Sequence, residues 1–248
     1  MRITVQLYTV RNELAADTAG TLKALGNIGL EYVELGGLTP ASVQEWKPML
    51  DDAGLKTSGA HYMLAEYERA DEMFEVTHTL GSNTLIVPWV PHETFATLDS
   101  IKKFADDLNA AGSKARAAGF EFLYHNHDFE FAKIDGKGGW YHLAELTDPE
   151  IVGFEVDMAW VKIGGEDEVA ILDQYSSRVG ALHLKDMDVT KTPRWTVAGE
   201  GTVNLKGGLA FGTSHGIPFG AIELDESPMA PIDAVKGSFE YFKSLGYC

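Results

Sequence analysis

The chain has 248 residues, 45% of them hydrophobic and 23% charged, with a formal net charge of -17. Such a chain is long enough for a full globular core, while its acidity speaks against a broad basic face for nucleic acid or an anionic membrane. No apolar run approaches a membrane span, and a lone cysteine, Cys248, leaves no internal disulfide.

In chain order, glycine-terminated helical stretches alternate with short β-branched or aromatic runs. The first run, ITVQLY (3–8), follows directly on the N-terminus without the basic start and cleavage site of a signal peptide, so a cytoplasmic location is expected. The further runs are EYVELG (31–36), LKTSGA (55–60), NTLIVP (83–88), FEFLYH (120–125), IVGFEVD (151–157), VGALHLKD (179–186) and FGAIELDE (219–226). Helices are expected over 17–27, 42–53, 66–80, 98–118, 140–146, 166–175, 205–215 and 232–245. Eight strand–helix repeats in this length predict a closed (β/α)8 TIM barrel, with residues 1–248 as a single domain. An open doubly wound sheet is the rival, but TVRNEL after the first run holds no glycine for a dinucleotide loop. The longest irregular stretches, 128–139 and 187–204, fall after the fifth and seventh strands, where barrel enzymes place active-site loops.

The ends of strands five to eight carry the chemistry. Strand five delivers His125 and His127, strand six Glu155 and Asp157, strand seven His183 and Lys185, and strand eight Glu223 and Asp225. Within each pair the residues are two apart, so each pair shares a face, and in a closed barrel all four faces can point to the axis. Ionisable groups there need a partner. A divalent cation is the simplest common one, and a set of two imidazoles and two carboxylates suits Mn²⁺, Zn²⁺, Co²⁺ or Fe²⁺ better than Ca²⁺.

YHNHDFEF, GFEVDMAWVKIGG, ALHLKDM, VAGEGTVNL and AIELDES together resemble the xylose-isomerase-like barrel superfamily of sugar isomerases and epimerases, which also holds inosose dehydratases, ketose 3-epimerases and endonuclease IV. The resemblance spans essentially the whole chain. It implies one divalent metal, manganese foremost, at the ends of strands five to eight, where relatives use Glu, Asp, His and Glu. Asp157, His183 and Glu223 match the last three; His125 stands where relatives often have glutamate, as His125-Asn126-His127 replaces Glu-Asn-His. In the ketose 3-epimerases both metal-binding glutamates also move protons, so this departure removes a symmetric carboxylate pair.

Metal ligation is accordingly expected of His125, Asp157, His183 and Glu223, and catalysis of Glu223, Lys185 and Glu155. Substrate contacts are expected from His127, His61, Glu34, Tyr8, Trp89 and Trp160, the two tryptophans as apolar walls against a sugar ring. The partner is a small carbohydrate, with no nucleic acid or membrane, and the resemblance admits a homo-oligomer. The leading expectation is an isomerase or epimerase in which the metal binds a carbonyl and a neighbouring hydroxyl and stabilises an enediolate. The alternative is a lyase acting on a keto-inositol or 3-keto-glycoside from the same intermediate. An endonuclease IV-like nuclease and a non-catalytic sugar-binding barrel stand further off: strand four ends in Pro88-Trp89, without the histidine of the nuclease cluster.

Overall fold

A computed structural model describes residues 1–36, 40–227 and 229–248. Eight parallel strands close a barrel: β1 (Arg2–Gln6), β2 (Tyr32–Leu35), β3 (Lys56–His61), β4 (Thr84–Val87), β5 (Glu121–His125), β6 (Gly153–Asp157), β7 (Val179–His183) and β8 (Phe219–Ile222). Each strand pairs with its sequence neighbours, and β8 pairs with β1. The expected (β/α)8 barrel is therefore the fold. No helix among the described residues is long and apolar enough to cross a membrane.

The helices form for local reasons. Asp17 accepts from the Gly20 amide and caps Thr18–Ile28, which Gly29 ends at φ 106°, a left-handed conformation that favours glycine. Leu98–Ala117 buries Ile101, Phe104, Ala105, Leu108, Ala111 and Ala115, the three-and-four spacing of one helical face. Such faces and the outward-facing strand residues make the main core. Its largest wholly buried side chain, Trp140, packs against Tyr124, Phe131, Phe154 and Tyr175. Trp140→Ala is expected to cost about 3–5 kcal/mol; urea unfolding measures it, and a loss below about 1 kcal/mol would contradict this packing account.

Inside the barrel, Ile86, Leu123 and Ala181 form a separate small cluster. Gly153 makes room for it: a Cβ there would lie 2.7 Å from Leu123 Cδ2. This apolar plug lies one residue pair below His125 and His183, so the polar residues above it stand at the C-terminal mouth.

Four local expectations change. Strands seven and eight end at His183 and Ile222, so Lys185, Asp186, Glu223 and Asp225 lie just beyond them. After Leu184 N bonds to Ala221 O at 2.7 Å, the chain leaves the barrel and pairs Asp186–Met187 with Trp195–Thr196 in a two-stranded ribbon. Tyr8 falls in a 3-10 turn, Leu7–Val10, because the Gln6 side chain accepts from its amide. The expected helix over 66–80 begins as a 3-10 segment, Leu64–Arg69, before Ala70–Thr79. Finally, a short helix, Met158–Ile163, follows β6 directly and is capped by the Asp157 side chain.

Candidate active site

Strand register brings the polar residues together. His125 pairs with Glu155, Asp157 with His183, and Gln6 with Glu34. The pairing shifts register between Val33 and Glu34 and between Phe154 and Glu155, irregularities of the kind that re-aim side chains at barrel rims.

His125, Asp157, His183 and Glu223 converge, each offering a ligand atom within 4.8 Å of the others. His125 Nε2 and His183 Nδ1 lie 3.8 and 3.9 Å from Asp157 Oδ2, and His183 Nδ1 lies 2.9 Å from Glu223 Oε2. Asp157 Oδ1 accepts from Trp160 N at 3.0 Å, whereas the buried Oδ2 makes no aligned hydrogen bond and lies 3.2 Å from the Lys185 ammonium. Two imidazoles and two buried carboxylates gathered this closely are a donor set that fits a divalent cation. His125 Nδ1 meanwhile faces Glu155 Oε2 at 3.2 Å, the carboxylate backing that metal-ligating histidines commonly have.

Lys185 is buried with its ammonium 3.2 Å from Asp157, 2.8 Å from Glu223 and 2.9 Å from Asp225. Burial works against its charge, but these three carboxylates hold its pKa well above the ordinary lysine value. Burial likewise opposes the Glu223 carboxylate, which Lys185 and His183 nevertheless hold well below its ordinary range. Burial, His125 and Lys185 push His127 down to about 2, leaving a neutral ring with an unpartnered Nδ1.

A cavity of about 530 Å³ opens above this cluster. Its polar side carries His61, His125, His127, Lys185, Glu223 and Asp225; Tyr8, Met63, Pro88 and Trp89 make a more apolar wall. Three candidates lie elsewhere. Glu34 and Glu155 are 2% and 0% exposed and sit beneath the cavity among imidazoles rather than on its surface. Trp160 lines an adjoining cleft with Trp195, Lys191 and Arg194, its ring against His127. The Gly199–Gly201 turn is held by the Asp186 carboxylate, and Glu200 within it accepts from the Thr196 hydroxyl at 3.4 Å.

Sequence reasoning missed Glu130. It is wholly buried, and it accepts from the Tyr124 hydroxyl at 2.7 Å and the His127 amide at 3.0 Å, holding the HNH turn to β5. The signal was its place in DFEF, a charge between two aromatics. Burial, opposed by these bonds, raises its pKa to about 7. Folding therefore retains its proton. This contribution is fully present below about pH 4.5, the ordinary glutamate value, and is lost as pH rises through about 7. Its full size is on the order of 3 kcal/mol. Glu130→Gln is expected to flatten the stability profile over that window in urea titrations at several pH values; an unchanged slope would exclude the account.

A closed barrel with imidazoles and carboxylates gathered under a mouth cavity has the architecture of a barrel enzyme, with a side-chain cluster that could hold a metal. The family model described as xylose isomerase-like TIM barrel matches residues 22–211, and the chain belongs to that family. It is 25% identical over 219 residues to an inosose dehydratase of Lacticaseibacillus casei, covering 72% of each chain. A Mesomycoplasma hyopneumoniae inosose dehydratase is 22% identical over 266 residues, covering 90% of this chain and 87% of the relative. Among solved structures, a sugar phosphate isomerase/epimerase from Parabacteroides distasonis superposes with a TM-score of 0.84 at 25% identity, covering 98% of this chain and 97% of that one.

Proposed function

We propose that this chain is a divalent-metal-dependent lyase of polyhydroxylated ketones, a keto-inositol or a 3-keto-glycoside, which removes the proton beside the carbonyl and expels the β-substituent. The observation that carries the reading is the pairing of Glu223 with Lys185 at 2.8 Å on one side of the cavity. A carboxylate and an ammonium side by side provide a base and an acid of different types, which elimination uses. Inversion at one carbon calls for two proton-moving groups on opposite faces, and the counterpart position holds His125.

His125, Asp157, His183 and Glu223 would hold the cation, a donor set that suits Mn²⁺, Zn²⁺, Co²⁺ or Fe²⁺. The bound dication would supply positive charge beside the substrate carbonyl and make the adjacent C–H more acidic. Glu223 takes that proton, and the C–H electrons form the new double bond. Lys185 delivers a proton to the departing hydroxyl or glycosyl oxygen, so water or an alcohol leaves. His61 and His127 contact hydroxyls, and Trp89 with Tyr8 covers the ring's apolar edge. The inosose dehydratase relatives support this reading.

The second reading, isomerisation or epimerisation, shares the first proton transfer and is supported by the Parabacteroides likeness. In D₂O, a keto-inositol is expected to give a dehydrated product. Deuterium exchange into recovered or epimeric ketone with no water loss would replace elimination with epimerisation.

A further inference from the structure

We propose a second divalent-cation site beneath the first, formed by Glu34, His61 and Glu155 with His183 as a shared corner. It goes beyond the lyase reading and does not depend on which reaction the upper site performs.

The donor atoms form a closed ring in which imidazole and carboxylate alternate. His61 Nε2 lies 2.9 Å from Glu34 Oε1 and 3.0 Å from Glu155 Oε2. His183 Nε2 lies 2.9 Å from the same Glu34 oxygen and 3.1 Å from the same Glu155 oxygen. If the ring were flat, edges of about 3 Å would put its corners about 2.1 Å from the centre, the bond length of first-row dications to nitrogen and oxygen.

Hydrogen bonds alone serve this ring poorly. Each Nε2 carries at most one proton, so four close nitrogen–oxygen contacts share two protons at best. The two carboxylate oxygens are also already served from outside: Gln6 Nε2 donates to Glu34 Oε1 at 2.8 Å, and His125 Nδ1 faces Glu155 Oε2 at 3.2 Å. An independent sign is Glu155 Oε1, which belongs to a fully buried side chain and has no hydrogen-bond partner. One dication touches every corner at once and cancels two buried negative charges. Both ring carboxylates also come directly after the register shifts of their strands, the local irregularities that aim them inward.

His183 presents Nδ1 to the upper set and Nε2 to the lower one. With one site filled, its other nitrogen keeps a proton and donates to the carboxylate it faces. Two imidazoles and two carboxylates select Mn²⁺, Fe²⁺, Co²⁺ or Zn²⁺ in the lower site as in the upper.

The test is anomalous diffraction at the manganese edge from crystals of the full chain soaked in Mn²⁺, with calorimetric titration of the same protein. Two anomalous peaks per chain are expected, one between Glu34, His61, Glu155 and His183 and one beside Asp157 and Glu223. Glu34→Gln combined with His61→Ala should abolish the lower peak and reduce the stoichiometry from two to one, while Asp157→Asn weakens the upper and leaves the lower in place. A peak in the lower position alone would uphold this proposal and count against the upper metal centre. A peak in the upper position alone at saturating Mn²⁺ would overturn it, leaving Glu34 and His61 as groups that orient His183. The wild-type diffraction decides the matter even if a variant fails to fold.

Discussion

Asp157→Asn is expected to weaken Mn²⁺ binding at the upper set and to lower turnover by more than the roughly 10–100-fold that losing an outer partner of a metal ligand costs. The substitution is chosen for what it keeps. Asparagine retains the oxygen that accepts from Trp160 N at 3.0 Å, so the start of Met158–Ile163 stays capped. It replaces Oδ2 by an amide nitrogen that faces His125 Nε2, His183 Nδ1 and the Lys185 ammonium. That removes an anion from the donor set and points N–H groups at the cation's place. Titration with Mn²⁺ beside an activity assay measures both effects, and excess metal should restore part of the turnover. A variant with the full wild-type isotherm and rate would refute the metal-centre reading. Asp157→Ala should do everything Asn does and lose about 1 kcal/mol more through the missing cap.

How far this site can be read from sequence depends on which kind of neighbourhood a residue occupies. His125, Asp157, His183 and Glu223 were legible because consecutive parallel strands place i and i+2 residues on one face, and barrel closure turns those faces to a common axis. Their convergence within 4.8 Å follows from pairings such as His125 with Glu155 and Asp157 with His183. The partnership of Glu34 and His61 with Glu155 and His183 was not legible. It runs across the barrel between strands two, three, six and seven, and depends on register shifts that leave no mark in residue type. The same limit applies to Glu155, whose alternation with Asp157 predicts an axial direction but not a depth below the cavity. Tyr8 and Trp89 could be assigned to the mouth by position alone, whereas Trp160 is drawn aside by the helix that Asp157 caps. The strand ends at 183 and 222 were overrun for a different reason. Lys185 and Asp225 continue the alternation after the ladder has stopped, because they are fixed by ion pairs rather than by backbone pairing.

Lys185→Met separates the two roles of the buried ammonium. Methionine fills a similar volume without charge. Without a dication, its introduction leaves Asp157, Glu223 and Asp225 without the ammonium they share, with only the neighbouring imidazoles opposing their charge, and breaking a buried ion pair in this way costs about 3–5 kcal/mol. The deficit should be largest in chelator and shrink when Mn²⁺ saturates the protein, because a cation beside Asp157 and Glu223 replaces part of the missing charge. Turnover should not recover in parallel. If Lys185 donates the proton to the leaving oxygen, the Mn²⁺-loaded variant remains about 10²–10⁴-fold slow, and a substrate with a better leaving group should regain most of that loss. Thermal melts with chelator and with Mn²⁺, set beside rates on the two leaving groups, give four numbers that a purely structural lysine cannot match. Such a lysine would show the stability loss with near-normal turnover once metal is bound. A catalytic acid shows restored stability with turnover still low.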